Sequence, residues 1–204
     1  MKRIFKLCLF GILALFLNSC YGSSEKLNDV KVENETIESI LSRKSVRDFT
    51  SQPISEDTIE ILLKSAMSAP TAVNKQPWKF VVVTNRLKLD ELSDSLPYAK
   101  MIKKAPLAII VCGNVERFLE GDAREYWVQD CSAATENLLL AAHSLGLGAV
   151  WTGAYPNIDR VEVIRKVLGL DSRLIPLCAV PIGYPAENPD VKNKWNKENI
   201  IYIK

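Results

Sequence analysis

Five consecutive residues, Arg43-Lys44-Ser45-Val46-Arg47, combine three cations with a hydroxyl group. Guanidinium groups donate paired hydrogen bonds to phosphate oxygens, and a serine hydroxyl adds a short neutral donor. In a helix, Arg43 and Arg47 would be four residues apart and would lie on the same face. The segment is therefore suited to binding a phosphate group, although a solvated basic helix end has the same composition.

Two further segments carry groups that could contact a ligand. In Ala69–Trp78, two prolines restrict the loop, and Thr71, Asn74 and Gln76 supply hydroxyl and amide groups. Such groups can read the edge of a planar heterocycle, and they also serve as caps in ordinary turns. The glycines of Gly146–Gly153 allow a close approach of the backbone to a ligand, or simply a helix cap followed by a tight turn.

Histidine and cysteine offer little for catalysis or metal binding. His143 is the only histidine of the chain, and its apolar neighbours favour a packed or half-buried helix residue. A Ser-His-Asp triad or a multi-histidine metal site therefore lacks residues. Cys112, Cys131 and Cys178 lie in apolar runs and are predicted to be small core residues. We predict no metal site.

The hydrophobic periodicity alternates helices with strands, which must position these segments. Ser55 is predicted to cap a helix that stops at Pro70, and Asp159 is predicted to cap another that runs through Leu168. The other predicted helices cover residues 36–47, 87–95 and 125–145. The predicted strands cover residues 78–84, 107–112, 149–151 and 176–183, with a final strand over 200–203.

The first residues resemble an export signal. Met1–Lys6 is basic, and the apolar run over residues 7–17 is too short to span a bilayer. Leu17-Asn18-Ser19-Cys20 resembles the bacterial lipobox, which is cut before a lipid-modified cysteine. We expect a signal peptide over 1–19, a polar tether over 20–34 and one domain over 35–204. A short membrane anchor is the alternative to cleavage.

The charge balance excludes one class of function. Removal of residues 1–19 would take three of the 26 basic residues and none of the 24 acidic ones. The remaining chain is near neutral, which argues against a general nucleic-acid-binding protein.

Four segments in this order resemble the nitroreductase family of FMN-dependent oxidoreductases over residues 35–204. They are Arg-Lys-Ser-Val-Arg, Ala-Pro-Thr-Ala-Val-Asn-Lys-Gln-Pro-Trp, Gly-Leu-Gly-Ala-Val-Trp-Thr-Gly, and the turn Gly183-Tyr184-Pro185-Ala186-Glu187. The resemblance implies an α+β fold with a central, mostly antiparallel sheet flanked by helices. It also implies an intertwined homodimer with two FMN sites at its interface, in which Ile200–Ile203 crosses to the partner's sheet.

The resemblance also assigns roles to particular residues. It implies that one group contacts the FMN phosphate: Arg43, Lys44, Ser45 and Arg47. A second group would approach the isoalloxazine ring from the other subunit: Pro70, Thr71, Asn74 and Gln76. The backbone of Trp151, Thr152 and Gly153 would lie along the ring. Lys192 and Lys194 would add a phosphate contact or form an ordinary solvated tail, and Lys194 stands where arginine is more typical.

The implied chemistry is a two-step hydride transfer. NAD(P)H would pass hydride to flavin N5 and leave, and a nitroaromatic, quinone or similar acceptor would take its place. Because the flavin carries this chemistry, no side chain is predicted to be a catalytic acid or base. Residues 114–126 either line the mouth of the acceptor pocket or form an exposed connection.

Two alternatives to this activity stay open. The chain could be an exported flavin-binding lipoprotein without reductase turnover, or it could perform specialised flavin chemistry such as flavin fragmentation or reductive dehalogenation. Lipidation at Cys20 would anchor the domain to a membrane of the bacterial cell envelope, where nicotinamide cofactors are scarce. An unused signal would leave it in the cytoplasm.

Overall fold

The computed structural model describes residues 34–204. The predicted signal peptide, the lipidation site Cys20 and all of the tether except Asn34 lie outside the described residues. The α-helices are α1 (Glu35–Ser42), α2 (Glu56–Met67), α3 (Arg86–Ser95), α4 (Tyr126–Ser144) and α5 (Ile158–Leu168). The strands are β1 (Trp78–Val83), β2 (Leu107–Asn114), β3 (Gly148–Ala149), β4 (Thr152–Gly153) and β5 (Leu174–Gly183).

The strands form one antiparallel sheet in the order β1-β2-β5-β3, and β4 also pairs with β5. The pairs Ala149↔Ile182 and Thr152↔Ala179 keep one register along β5, although no strand is assigned to the two residues between them. The strand predicted over 149–151 is therefore two short strands that flank Val150 and Trp151. The predicted α+β architecture with an antiparallel sheet is confirmed.

Helices cover both faces of the sheet, because successive side chains of a strand point to opposite sides. Ile109 packs with Leu62 of α2 and Leu138 of α4 on one face. Its neighbour Ile110 packs with Leu92 of α3 and Ile164 of α5 on the other. A central strand with two covered faces is apolar throughout, as the predicted buried strand over 107–112 indicated.

The first helix ends earlier than predicted. The helical pattern extends to Arg47, but α1 stops at Ser42, and Arg43 has extended backbone angles. Beyond this point Ser45 forms a parallel bridge with Ala149, and Val46 is buried. The tertiary pairing with β3 thus outweighs the local helix propensity of this segment.

The C-terminal segment differs from the prediction in a related way. Residues 200–203 form no strand within the chain. Ile201, Tyr202 and Ile203 are instead 88%, 76% and 96% exposed. Pairing of this segment with a partner's sheet stays a prediction. Between residues 34 and 204, no helix is both long and apolar enough to cross a bilayer.

Candidate functional site

A cleft of about 190 Å³ lies between the segment after α1 and the edge formed by β3 and β4. Arg47 comes from the first element, and Val150–Gly153 comes from the second. The other wall is formed by the α3–β2 connection and by α5, through Leu96, Pro97, Tyr98, Ala99, Met101, Arg160 and Ile164. The cleft therefore brings the first and third sequence segments together.

Close backbone packing fixes the cationic segment against the sheet. The Val46 N–H donates to the Ala149 carbonyl oxygen at 3.1 Å. A Cβ atom placed on Gly148 would lie 2.6 Å from Cγ1 of Val46, which is closer than carbon atoms can approach. Glycine at position 148 therefore permits this contact, and the third segment positions the first.

The turn Gly183–Glu187 holds the same segment from its other side. Oε1 of Glu187 accepts hydrogen bonds from the backbone N–H groups of Arg47 at 2.6 Å and Asp48 at 3.2 Å. The Ala186 N–H donates to the Asp48 carbonyl oxygen at 2.9 Å. Hydrogen bonds to β3 on one side and to this turn on the other thus restrain the backbone around Arg47.

The two arginines of the segment have different surroundings. The Arg43 Nε atom forms an ion pair with Oε1 of Glu136 in α4 at 3.3 Å. Arg47 is exposed at the cleft and pairs with no carboxylate between residues 34 and 204. The expectation that Arg43 and Arg47 share a helix face is therefore wrong, because the segment is not helical. Lys44 Nζ donates to Oδ1 of Asn188 at 2.5 Å.

His143 lies beside this segment and is half-buried, as predicted. Its Nε2 atom is 2.9 Å from the Ser42 hydroxyl oxygen, which itself donates to the Glu38 carbonyl oxygen at 2.7 Å. Because the hydroxyl proton is used, His143 Nε2 is the donor in their hydrogen bond. Burial, together with the charges of Arg43 and Lys44, lowers the pKa of His143.

The second segment is strained but lies outside the cleft. Val73, Asn74 and Gln76 have positive φ angles of 42°, 56° and 50°, which are unfavourable for residues other than glycine. Buried Asp130 of α4 holds this loop by accepting from the Ala72 N–H at 2.9 Å. The Thr71 hydroxyl accepts from the Gln76 N–H at 3.1 Å.

None of the four predicted residues of this loop, Pro70, Thr71, Asn74 and Gln76, lines the cleft of the same chain. Their approach to a cofactor bound by a partner stays a prediction. Lys192 and Lys194 are exposed in the tail and do not line the cleft either. Their phosphate contact also stays a prediction.

Residues 114–126 are more ordered than an open connection. They contain 3₁₀ turns at Val115–Arg117 and Gly121–Glu125. The buried Phe118 ring stacks on Trp127 with centroids 5.1 Å apart. None of these residues lines the cleft of Arg47, and a role at the mouth of an acceptor pocket stays a prediction.

Sequence patterns gave no signal for two residues that line the cleft, nor for Asp130, which holds the second segment. Asp130 is one polar residue within an amphipathic helix of the sequence. Tyr98 and Arg160 resemble ordinary surface residues that are far apart in the chain, yet the Arg160 guanidinium lies 5.0 Å from the Tyr98 ring centroid. Only the fold brings these two side chains to one cleft.

The three cysteines are core residues, as predicted. Cys112, Cys131 and Cys178 are buried and form no disulfide. Burial raises the pKa of Cys112 to about 12 and that of Cys178 to about 12, so both stay protonated thiols at neutral pH. Among residues 34–204, no three His, Cys, Asp or Glu side chains are grouped as a metal site would require.

The model of the Nitroreductase family matches residues 40–97 and 87–184. A Methanothermobacter thermautotrophicus protein named "Putative NADH dehydrogenase/NAD(P)H nitroreductase" is 45% identical over 168 residues, which cover 81% of this chain and 85% of that protein.

Solved structures show the same relationship. The crystal structure of a protein of the same name from Bacteroides thetaiotaomicron is 47% identical, with a TM-score of 0.78 over 83% of this chain and 97% of that one. A Desulfovibrio desulfuricans protein crystallised in complex with FMN is 29% identical, with a TM-score of 0.75 over 84% of this chain and 98% of that one. The chain therefore belongs to the nitroreductase family.

Proposed function

We propose that this protein is an FMN-dependent NAD(P)H oxidoreductase. The observation that carries the proposal is the cleft that Arg47 and the residues Val150–Gly153 line together. The names of the relatives described above include NAD(P)H nitroreductase, and one was crystallised with FMN. A shared fold alone would not support an activity, and these residues add the chemistry of a specific site.

The cleft and the segment beside it fit FMN in charge and in shape. Arg47 lines the cleft, and Arg43, Lys44 and Ser45, which do not line it, precede Arg47 on the same segment and supply further donors for a phosphate group. No atom lies within 4 Å of a Cβ atom built on Gly153, so the space beside this backbone is open to a flat ligand. When bound, FMN would accept hydride from NAD(P)H and return electrons to a second substrate. The protein's part is to bind the cofactor, orient both substrates and exclude water.

A second copy of the chain would complete this site. The cleft of one protomer, at about 190 Å³, is smaller than the roughly 300 Å³ or more of typical ligand pockets. The strained loop with Pro70, Thr71, Asn74 and Gln76 presents polar groups outside its own cleft. We propose a homodimer in which each loop reaches the partner's cofactor and Lys192 and Lys194 add charge at the phosphate.

The proposed reaction has two half-reactions at one cleft. The electron donor binds first and leaves, and a nitroaromatic, quinone or similar acceptor then occupies the same position. We expect this order because donor and acceptor would both have to reach the same flavin ring. Ping-pong kinetics, with parallel lines in double-reciprocal plots, are the expected result.

We also propose that the protein is lipid-anchored in the bacterial cell envelope through Cys20. The support is the sequence alone: a basic start, a short apolar run and a lipobox-like end. Metabolic labelling with a radioactive fatty acid should mark the wild-type protein and not Cys20→Ser. Equal labelling of both proteins, or an uncleaved chain in the cytoplasm, would contradict the proposal.

The flavin spectrum tests the proposed activity most directly. Protein without residues 1–19 is expected to be yellow, to release FMN on denaturation and to bleach under anaerobic conditions with NADH or NADPH. A colourless protein that takes up no added FMN would contradict the proposal. A yellow protein that neither nucleotide bleaches would instead indicate a flavin-binding protein without reductase turnover.

A further inference from the structure

Arg160 supplies a second guanidinium group to the cleft, on the wall opposite the segment after α1. It lies near the start of α5, and its Nη1 atom donates to the Gly153 carbonyl oxygen at 3.4 Å. Its guanidinium carbon is 5.0 Å from the centroid of the Tyr98 ring. This cation–π contact holds the guanidinium group beside the ring, and its remaining N–H groups stay available to a ligand.

The cleft concentrates positive charge that the described part of the chain does not neutralise. Four other arginines of residues 34–204 form ion pairs, namely Arg43 with Glu136, Arg86 with Asp90, Arg165 with Glu162, and Arg173 with both Asp171 and Glu116. Arg117 instead donates to the Lys75 carbonyl oxygen, and Arg124 lies over the Phe118 ring, both away from the cleft. Arg47 and Arg160 form none within this range, and both line the cleft. Two cations without a protein counter-ion favour a negatively charged ligand.

The proposed cofactor does not account for both cations. FMN has one phosphate group, and the donors of Arg43–Ser45 lie on the segment that includes Arg47. Arg160 belongs to a different element and contacts Gly153, beside the open space that a flat ligand would occupy. Its spare N–H groups are therefore available to the molecule that binds after the cofactor.

We propose that Arg160 and Tyr98 form a subsite for the carboxylate of an aromatic electron acceptor. The proposal rests on the function proposed above and specifies its substrate class. The guanidinium edge would bind the carboxylate through paired hydrogen bonds. Leu96, Pro97 and Met101 supply an apolar wall for the aromatic ring, and Tyr98, which is 74% exposed, keeps the subsite at the outer rim.

Comparing the binding of benzoate and benzamide distinguishes this subsite from nonspecific apolar binding, because the two probes differ mainly in charge. Isothermal titration calorimetry of wild-type protein should show tighter binding of benzoate. Arg160→Gln should weaken benzoate binding about tenfold, since a charge-assisted hydrogen bond is lost, and change benzamide binding much less. Tyr98→Leu should weaken benzoate binding by a smaller factor because the cation–π contact that holds the guanidinium group is lost.

Lys166→Gln is the matched control, since it removes one positive charge from an exposed position of the same helix outside the cleft. It should leave benzoate affinity unchanged. Arg160→Lys keeps the charge without the paired donors, and it should fall between wild type and Arg160→Gln. This variant also serves as a second test if Arg160→Gln fails to fold.

Kinetics give an independent measurement on the FMN-loaded protein. The KM ratio of 4-nitrobenzoate to 4-nitrobenzyl alcohol should rise about tenfold in Arg160→Gln. If Arg160→Gln instead raised the KM for NADPH and left the KM ratio of the two acceptors unchanged, the proposal would be overturned. Equal affinity of the wild-type protein for benzoate and benzamide would also overturn it. Calorimetry measures benzoate binding in both the FMN-loaded and the FMN-free protein. A protein that binds benzoate but not FMN would contradict the proposed function alone, whereas one that binds FMN but does not prefer benzoate would contradict this subsite alone.

Discussion

The two ends of the cationic segment do different work at the level of single residues. Arg43 has a largely covered side chain, 16% exposed, and pairs with Glu136, whereas Arg47 is exposed and lines the cleft. In an extended segment the side chains alternate, so Val46 enters the core between Ser45 and Arg47. Removal of either arginine should therefore weaken cofactor binding, and only one removal should affect the fold.

Arg47→Ala is expected to raise the dissociation constant for FMN about tenfold, through loss of a charge-assisted contact, without lowering the free energy of unfolding. Arg43→Ala is expected to weaken FMN binding and also to lower the free energy of unfolding by about 1 kcal/mol, because a partly exposed ion pair is broken. Flavin fluorescence and urea denaturation of the FMN-free protein measure the two effects. Unchanged FMN affinity in Arg47→Ala would contradict the assignment.

His143 makes stability depend on pH in a defined direction. Its pKa in the folded chain is lowered from the ordinary value of 6.5, first by burial and then by the charges of Arg43 and Lys44. Between the ordinary pKa and the lowered pKa, His143 of the unfolded chain binds a proton that the folded chain does not. The free energy of unfolding therefore falls as the pH decreases from the ordinary pKa toward the folded pKa.

His143→Gln should reduce this pH dependence, because glutamine can donate to the Ser42 hydroxyl but does not titrate. The free energy of unfolding from urea titrations at about pH 7.5 and about pH 5.5 should differ less in the variant than in wild type. An equal difference in both proteins would show that other groups cause the pH dependence.

At the level of elements, the cleft depends on hydrogen bonds between two loops. The turn Gly183–Glu187 is at the end of β5, and the segment 43–49 follows α1. They meet through the Glu187 carboxylate, the Ala186 N–H and the bridge between Phe49 and Pro185. The Arg47 backbone is one of the groups held by these hydrogen bonds. Loss of the Glu187 carboxylate should therefore affect the cleft, although the carboxylate itself does not line it.

Glu187→Ala should raise the dissociation constant for FMN about fivefold, since two backbone N–H groups lose their acceptor and Arg47 gains freedom. Glu187→Gln keeps one acceptor oxygen and should restore most of the affinity. Asp190→Asn removes a negative charge from the same exposed tail and should have no effect. If Glu187→Gln and Glu187→Ala weaken binding equally, charge rather than positioning explains the result.

At the level of the whole molecule, the apolar residues of the C-terminal tail are not buried by their own chain. Ile201, Tyr202 and Ile203 are exposed, although such residues are usually buried. The cleft of one protomer is also small, and the strained loop over residues 70–76 lies outside it. A partner subunit would cover the tail and complete the site together.

Deletion of residues 196–204 is expected to convert a dimer into monomers and to reduce FMN retention, since both depend on the second copy. Light scattering coupled to gel filtration gives the mass, and flavin absorbance gives the FMN content. Lys204→Gln keeps the apolar residues of the tail and should stay dimeric. A truncated protein that remains a dimer with full FMN content would contradict this role of the tail.

Much of the fold could be predicted from local signals. Ser55 caps α2 by accepting from the Thr58 N–H, as predicted, and the long amphipathic pattern became α4. Asn157 rather than Asp159 caps α5, because either polar residue fits the pattern and only the packing of the preceding turn selects one. The buried cysteines and the antiparallel sheet follow from apolar runs whose length and composition leave few alternatives.

The sequence by itself determined which residue types could bind a phosphate-bearing cofactor, and the order of motifs determined the family. Only the tertiary structure decided where α1 ends, which arginine lines the cleft, that Tyr98 and Arg160 line it too, and that Glu187 holds the Arg47 backbone. The physical reason is range. Helix caps and apolar periods depend on neighbours within a few residues, whereas the Val46 contact with Ala149 and the Arg160 stack on Tyr98 join segments that are distant in the chain.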